Sequence, residues 1–250
     1  MNLTIYRDYP DGLVALGNLV RENGETTFCY NQEYLARTDA AAVSLSLPLR
    51  EKPFSEEELL PYFKGLLPEG EALENLCRSM GILNGDYFTM LGSCGLDCLG
   101  DIVINPYAYQ TERSYEPITV QDLTAMAGKP RSIDASIELA RLSLAGTQNK
   151  CGLFHDPKAP LGDGWYQPVG GAPSNYIIKF AREDLHDLMI VEHLSLTCAA
   201  ACGVPSAKTA LLNPSRPIIC VERYDRLGSA SEVINGQRAP LRQHQEDITQ

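Results

Sequence analysis

Apolar and polar residues alternate along the first thirty positions of the chain, which is the pattern of β-strands with one buried face. Residues 3–6 and 13–20 are separated by a Pro-Asp-Gly turn sequence, and residues 25–30 follow an Asn-Gly pair that is typical of hairpins. The pattern therefore predicts a small antiparallel meander. Residues 44–50 also alternate, which predicts a further strand that Pro48 places at an edge or an end.

Helical spacing replaces this alternation after residue 54. Ser55 and Glu58 form a capping box ahead of apolar residues that recur three and four positions apart. Pro61 removes a backbone donor from that helix, so we expect the helix to bend or to be interrupted there. Further helices are predicted over residues 68–80, 86–91, 119–126 and 187–201. Further strands are predicted over residues 99–106, 174–180 and 217–226.

Residues 107–117 are mostly polar and have no apolar period, which is typical of a connection between domains. The chain is therefore predicted to be an α+β protein in two parts. An N-terminal β-plus-helix subdomain over residues 1–106 is followed by the linker over 107–117 and a second region over 118–250. The 250 residues are enough for two ordinary domains.

Charge and hydropathy exclude some classes of function. The formal net charge of -11 argues against a protein that binds nucleic acid non-specifically, because such a protein needs a basic face. No apolar run approaches the length of a membrane span, and the N-terminus lacks the basic and apolar regions of a secretion signal. These features predict a cytoplasmic protein that does not enter a membrane.

Eight cysteines are spread over the chain without the C-x₂-C spacing that is common in zinc ribbons. Cys94 and Cys98 are separated by three residues, as are Cys198 and Cys202, and no histidines cluster near them. Buried free thiols in a reducing compartment are predicted, because cysteine in apolar surroundings behaves as a small hydrophobe. An unrelated metal or redox protein that uses these cysteines is the alternative.

The stretch over residues 141–154 contains the first candidate site. A strand-like start is interrupted by small and polar residues, namely Ala145, Gly146, Thr147, Gln148, Asn149 and Lys150. A turn of small residues lets backbone N–H groups approach an anion, to which Thr147 adds a hydroxyl and Lys150 a charge. The turn matches neither common glycine-rich phosphate motif, so an ordinary hairpin turn is the alternative.

A lysine inside an apolar strand is the second candidate. Burial of Lys179 is costly unless the ammonium group meets an anion. Glu192 shares the apolar face of the helix predicted over residues 187–201, and it is the natural partner for Lys179. The alternatives are that Lys179 faces solvent from a half-exposed strand, or that the helix is rotated and Glu192 is solvated.

The third candidate is the sequence Val221-Glu-Arg-Tyr-Asp-Arg, which runs from the end of an apolar strand into polar residues. Backbone groups exposed at such a strand end are able to read the edge of an adenine, with Tyr224 packed nearby. A strand that simply emerges into solvent is the alternative.

The order of the candidate features along the chain is that of the nucleotide-binding lobe of a protein kinase. The order is a phosphate loop, a lysine in a strand, a glutamate in a helix and the end of a further strand. The chain resembles the HipA-like serine/threonine kinases, the toxins of bacterial toxin–antitoxin modules. The resemblance is carried by Ser44-Leu-Ser-Leu-Pro-Leu, Phe63-Lys-Gly-Leu-Leu-Pro, Leu142-Ser-Leu-Ala-Gly-Thr-Gln-Asn-Lys, Tyr176-Ile-Ile-Lys, Glu192, Gly203-Val-Pro, Val221-Glu-Arg-Tyr-Asp-Arg and Gln245-Glu-Asp.

The resemblance implies a role for each candidate residue. Residues 145–150 match the family's loop over the ATP phosphates, and Lys179, with Glu192, matches its phosphate-binding lysine. Ser143 lies where the family carries an autophosphorylated serine, whose modification expels the loop and inactivates the kinase. The implied hinge that contacts adenine consists of Glu222, Arg223 and Tyr224. ATP and Mg²⁺ are the implied cofactors.

The resemblance also implies partners. The family's antitoxin is a HipB-like helix-turn-helix DNA-binding protein, so contact with DNA is expected only through the antitoxin. The best-known members phosphorylate a glutamyl-tRNA synthetase, which makes an aminoacyl-tRNA synthetase the expected protein substrate. The N-terminal subdomain is expected to pack on the kinase lobe and to help contact the antitoxin.

The family's catalytic loop, of the Asp-Gly-His-x-x-Asn type, lies in a helical lobe downstream, and this motif does not occur in the chain. We therefore expect the N-terminal half of a HipA-like kinase, without catalytic residues or metal ligands and with the helical lobe absent. Such a chain is expected to bind nucleotide weakly and to be inactive alone. The alternative is a non-catalytic interaction protein or truncated remnant that binds an antitoxin or a separately encoded catalytic lobe.

Overall fold

The computed structural model describes residues 1–105, 112–128, 150–181, 185, 187–213, 217–228 and 232–246, with the backbone alone for residues 126–128. The chain divides into two compact units. Of the described residues, 1–105 and 241–246 belong to the first unit, and those between 112 and 240 belong to the second. No helix in the described ranges is long and apolar enough to cross a bilayer.

The first unit is a four-stranded antiparallel sheet of order β3-β2-β1-β4, and its helices lie between β3 and β4 along the chain. Its elements are β1 (Asn2–Tyr9), β2 (Gly12–Glu22), β3 (Glu25–Tyr30), α1 (Gln32–Leu35), α2 (Glu56–Gly65), α3 (Gly70–Met80), α4 (Tyr87–Cys94), a 3-10 turn (Gly95–Asp97) and β4 (Ile102–Asn105). The predicted meander is confirmed. Asn23 and Gly24, at φ of 52° and 89°, supply the two positive φ angles that a tight hairpin turn needs.

Helix α2 begins at the predicted capping box, in which the backbone N–H of Ser55 donates to Glu58 Oε2 at 2.8 Å. The helix is not interrupted at Pro61, which lies inside it. Proline removes a single backbone donor, whereas Leu59 and Phe63 on the same helix are completely buried in the core. Packing therefore outweighs the lost hydrogen bond.

The strand predicted over residues 44–50 is wrong. Ser44 and Leu47 form one isolated bridge around a turn, and Leu45 is 83% exposed. The hydroxyl of Ser44 lies 2.8 Å from the hydroxyl of Ser46 and donates to Glu246 Oε1 at 2.6 Å. Serine side chains that form such bonds compete with a strand ladder, so the leucine–serine alternation here belongs to a turn.

The second unit is built on a six-stranded antiparallel sheet of order β5-β7-β6-β8-β10-β9. Its elements are β5 (Ser114–Ile118), α5 (Val120–Gly128), β6 (Lys150–His155), β7 (Trp165–Val169), β8 (Tyr176–Phe180), α6 (Leu188–Ala201), β9 (Thr209–Leu212), β10 (Ile218–Glu222), β11 (Arg226–Leu227), β12 (Val233–Ile234) and β13 (Gln237–Arg238). Strand β14 (Leu241–Arg242) returns to the first unit. Part of the segment predicted as a linker forms β5, and residues 106–111 lie outside the described ranges.

The two faces of the second sheet bury separate apolar clusters. On one face, Ile178 and Cys220 pack with Trp165 and with Leu123 of α5. On the other face, strands β8 and β10 pack against α6, where Met189 is buried. This second arrangement positions the charged residues of the candidate site.

Candidate functional site

The ion pair predicted between Lys179 and Glu192 is present. Alternation along β8 places Lys179 on the same face as Ile177, which packs in the cluster around Met189 of α6. Glu192 lies three residues after Met189 and therefore faces the same side of the helix. Lys179 Nζ and Glu192 Oε1 are 2.6 Å apart, and each side chain is 21% exposed. The pair is thus anchored by packing and still reached by water.

A second lysine lies directly across the sheet. Lys150 and Lys179 are opposed in the antiparallel register of β6 and β8, so their side chains leave the same face of the sheet. Lys150 therefore lies beside the Lys179–Glu192 ion pair on this face of the sheet. Thr147 and the other predicted loop residues up to Asn149, together with Ser143, lie outside the described residues.

The predicted hinge residues lie at and after the end of β10. The backbone N–H groups of Glu222 and Arg223 donate to the carbonyls of Lys208 and Asn175 at 2.8 and 3.0 Å. Tyr224 is 71% exposed. A base edge bound here must therefore use groups other than these two amides.

The three charged residues that follow β10 do not emerge into solvent, although Tyr224 between them does. Arg223 donates to both carboxylate oxygens of Asp225 and to the hydroxyl of Ser174, and Arg226 donates to Asp225 Oδ2 at 2.9 Å. All three charged side chains are buried. Sequence reasoning missed the roles of Asp225 and Arg226. The sequence signal for this cluster is an aspartate between two arginines. Such residues form ion pairs when the end of the strand is buried.

A cavity of about 560 Å³ lies in the second unit beside the end of β10. Its volume is in the range of small-molecule sites. Glu222 and Arg223 line it, whereas Tyr224, Lys179 and Glu192 do not. The remaining lining residues are Phe154, Asp156, Pro157, Lys158, Asn175, Arg226, Gly228, Val233, Gly236, Gln237, Arg238 and Pro240.

Asn175 connects this region to β6 and was also missed in the sequence. Its side chain accepts from the N–H of His155 at 2.7 Å and donates to the carbonyl of the same residue at 2.8 Å. Its own carbonyl accepts from Arg223. Asn175 therefore holds the end of β6 and the end of β10 together beside the cavity.

The cysteines form neither disulfides nor a metal-binding cluster in the described residues. All eight are free thiols, and in those ranges no cluster of three or more histidine, cysteine or acidic residues is placed to hold a metal. Burial raises the pKa of the Cys94 and Cys220 thiols to about 12, which keeps them protonated. Cys198 and Cys202 are exposed, contrary to the predicted burial.

Two family models match the chain. The model described as the HipA N-terminal domain matches residues 12–105, and the model described as the HipA-like C-terminal domain matches residues 142–250. The protein Y4mE of Sinorhizobium fredii is 30% identical over the whole chain, which spans 59% of Y4mE. The serine/threonine-protein kinase toxin HipA of Shewanella oneidensis is 28% identical over 96% of this chain and 53% of its own length.

The fold is similar to that of a solved structure. One chain of the complex of HipA, HipB and operator DNA from Shewanella oneidensis matches 97% of this chain with a TM-score of 0.72 and 25% identity. The match covers 54% of that chain. The sequence thus spans little more than half the length of the relatives that it matches.

Proposed function

Because this chain belongs to the HipA-like family, we propose that it forms the ATP-binding part of a protein serine/threonine kinase toxin. Residues 118–250 would be the nucleotide-binding region and residues 1–106 the N-terminal subdomain. The observation that carries the proposal is the Lys179–Glu192 ion pair, held between β8 and α6 with Lys150 opposite. The pairing of a strand lysine with a helix glutamate is the arrangement that kinases use to place ATP phosphates.

The triphosphate would lie at the two lysines, covered by residues 145–150, and the base would lie at Glu222, Arg223 and Tyr224. Lys179 pairs with Ile219, three residues before Glu222, so the two ends of the site are about 10 Å apart along the strand. Since the N–H groups of Glu222 and Arg223 are already donated, other backbone groups of this stretch would read the base. The cavity beside Glu222 offers room at that end.

A titration with ATP and Mg²⁺, followed by calorimetry, tests this site. Weak but measurable binding is expected for the 250-residue chain. Lys179→Met should weaken the affinity about tenfold or more, because it removes a charge-assisted contact to phosphate. Lys52→Met, at an exposed position of the first unit, is the matched control and should bind as the original chain does. Equal affinities for the two variants would reject the role of Lys179.

Phosphoryl transfer is proposed to need residues that this chain does not carry. The Mg²⁺ ion would neutralise charge on the phosphates, and its protein ligands and the catalytic carboxylate would come from a helical lobe. Incubation of the pure chain with radiolabelled ATP should therefore give no phosphorylated protein, including at Ser143. Robust ATP-dependent labelling would overturn this part of the proposal.

An interaction role is the second candidate, and it is favoured by the likeness to a chain of a HipA–HipB–DNA complex. We propose that a HipB-like helix-turn-helix antitoxin binds the natural assembly and that DNA is contacted only through this antitoxin. For the kinase role, we propose an aminoacyl-tRNA synthetase as the protein substrate. Isolation of the assembly from its source cells should recover a small helix-turn-helix protein. If Lys179→Ala left every activity of that assembly unchanged, the interaction role would stand without the kinase role.

A further inference from the structure

Residues 241–246 pack within the first unit through charged side chains. Arg242 is completely buried, and its Nη2 atom lies 3.2 Å from Asp97 Oδ1. Four residues further on, Glu246 accepts from the hydroxyl of Ser44 at 2.6 Å and from the backbone N–H of Leu45 at 2.8 Å. The segment is therefore fixed at both ends, and His244 lies between the two anchors.

His244 has a carboxylate at each ring nitrogen. Nδ1 lies 3.3 Å from Asp101 Oδ1, and Nε2 lies 3.3 Å from Glu246 Oε2. The other groups near these carboxylates include Arg7, whose Nε is 2.9 Å from Asp101 Oδ2, Tyr62 of α2 and Tyr30 of β3. Burial raises the pKa of Tyr30 to about 12, so it stays neutral. Burial raises the pKa of Tyr62 well above its usual value, so this phenol stays neutral.

A neutral imidazole satisfies only one of the two carboxylates. It donates from one nitrogen only and turns the lone pair of the other towards a carboxylate, which repels it. The imidazolium ion carries a proton on both nitrogens, so that it donates to Asp101 and attracts Glu246 electrostatically. Glu246 Oε2 is buried and has no geometrically good hydrogen bond in the described residues, so the charge on His244 is its compensation. In agreement, the hydrogen bond that His244 donates to Asp101 raises the pKa of His244, with burial and Arg7 acting in the opposite direction.

We propose that His244 is a proton-dependent clamp that holds residues 243–246 on the first unit. When His244 is protonated, it bridges Asp101 to Glu246, and Glu246 in turn fixes the turn at Ser44. When the proton is lost, the bridge becomes a repulsive contact and the segment loosens, together with that turn. The clamp rests on the geometry of the first unit alone and does not depend on nucleotide binding.

An NMR titration of the 250-residue chain tests the charge on His244. It follows the ring carbons of the four histidines as the pH changes. The pKa of His244 should lie above the unperturbed value of about 6.5. Glu246→Gln and Asp101→Asn should each lower it, and His193, which lies in the second unit, should not respond. A His244 pKa at or below the unperturbed value, or one that neither variant moves, would overturn the proposal.

Hydrogen exchange at residues 243–246 and 44–47, corrected for the intrinsic rate, tests the loosening. A folded-state pKa that is raised makes the stabilisation complete below the unfolded pKa and lost as the pH rises through the folded pKa. Protection should therefore fall across that window, by a limiting factor of tenfold for each unit of pKa difference. His244→Gln should abolish this pH dependence, whereas His193→Gln should keep it. Protection that follows the same pH profile in both variants would refute the clamp.

Discussion

Two groups of charged side chains lie in the second unit and differ in burial. Arg223, Asp225 and Arg226 have side chains that are 0%, 2% and 1% exposed. The side chains of Lys179 and Glu192 are each 21% exposed, and within the described ranges each of these side chains bonds only to the other. Both groups are joined by short contacts, of 2.7 and 2.9 Å in the first and 2.6 Å in the second.

The difference in burial separates structural charges from charges that are able to meet a ligand. The side chains of the arginine–aspartate cluster are almost fully buried, so Asp225 offsets part of the charge of the two guanidinium groups and helps to fix the backbone that follows β10. The Lys179–Glu192 pair is reached by solvent, so its contribution to stability is small and a phosphate is able to approach the ammonium group. Mutations that remove one partner from each group test this distinction.

The largest effect is expected for Asp225→Ala, which leaves two guanidinium groups buried without their carboxylate. The free energy of unfolding should fall by about 3–5 kcal/mol. Urea denaturation followed by the fluorescence of Trp165, the single tryptophan and a core residue of the second unit, measures it. Glu116→Ala, at an exposed position of β5, is the control and should change the stability little. A loss for Asp225→Ala below about 1 kcal/mol would place this cluster with the solvent-exposed pairs.

The first unit contains a comparable buried charge in Arg242. Its side chain is 0% exposed and pairs with Asp97, which is 2% exposed, and with Asp8. Arg242→Met should lower the free energy of unfolding by about 3 kcal/mol, because it leaves Asp97 charged in the interior. Circular dichroism during urea denaturation measures the change. Arg37→Met removes a surface pair with Asp39 and should have little effect, so similar results for the two variants would show that burial is not the deciding factor.

Periodicity located most strands and helices, and it also predicted the Lys179–Glu192 ion pair. Both residues lie inside regular elements, where side-chain direction follows from a period of 2.0 or 3.6 residues. The failures lie outside such elements. Ser44 bonds to Glu246, 202 positions away, and Arg223 bonds to Ser174, 49 positions away. Contacts between such distant segments leave no periodic signal, so the turn at residues 44–47 and the buried cluster after β10 were not predicted.

The chemistry of the site was predicted less completely than the fold. Lys150, Lys179 and Glu192 are close together because their strands and helix are adjacent, which topology alone implies. The roles of these residues towards ATP, and those of Glu222, Arg223 and Tyr224, stay predictions. A side chain such as that of Arg223 is recognised as structural only when its partners in space are known.

A smaller effect is expected for Asp86, which pairs with Arg21 at an exposure similar to that of the Lys179–Glu192 pair. Asp86 also caps α4 by accepting from the backbone N–H and the hydroxyl of Thr89. Asp86→Ala should cost about 1 kcal/mol, the usual value of an N-cap. Denaturation by urea at neutral pH measures it, with Asp86→Asn as the control that retains the cap.

The pH dependence of this effect has a definite sign. Burial raises the pKa of Asp86, but the bonds from Thr89 and Arg21 outweigh it, and the pKa is lowered overall. A lowered folded pKa gives stabilisation that is present above the unfolded pKa, about 3.9, and is lost as the pH falls through the folded pKa. The difference in stability between the original chain and Asp86→Ala should therefore shrink in acid. A difference that stays constant to low pH would contradict the assignment.

The smallest effect on stability is expected for the Lys179–Glu192 pair. A double-mutant cycle of Lys179→Met and Glu192→Gln should give a coupling energy below about 1 kcal/mol, because the pair is partly solvated and screened. If the proposed site is right, the same two variants should differ in their affinity for ATP, with the larger loss for Lys179→Met, since the lysine would contact phosphate and the glutamate would only position the lysine. A coupling energy near that of a buried pair, about 3 kcal/mol or more, would make this ion pair structural. Little coupling together with a large loss of affinity would instead assign the pair to ligand binding, which is the distinction that its exposure predicts.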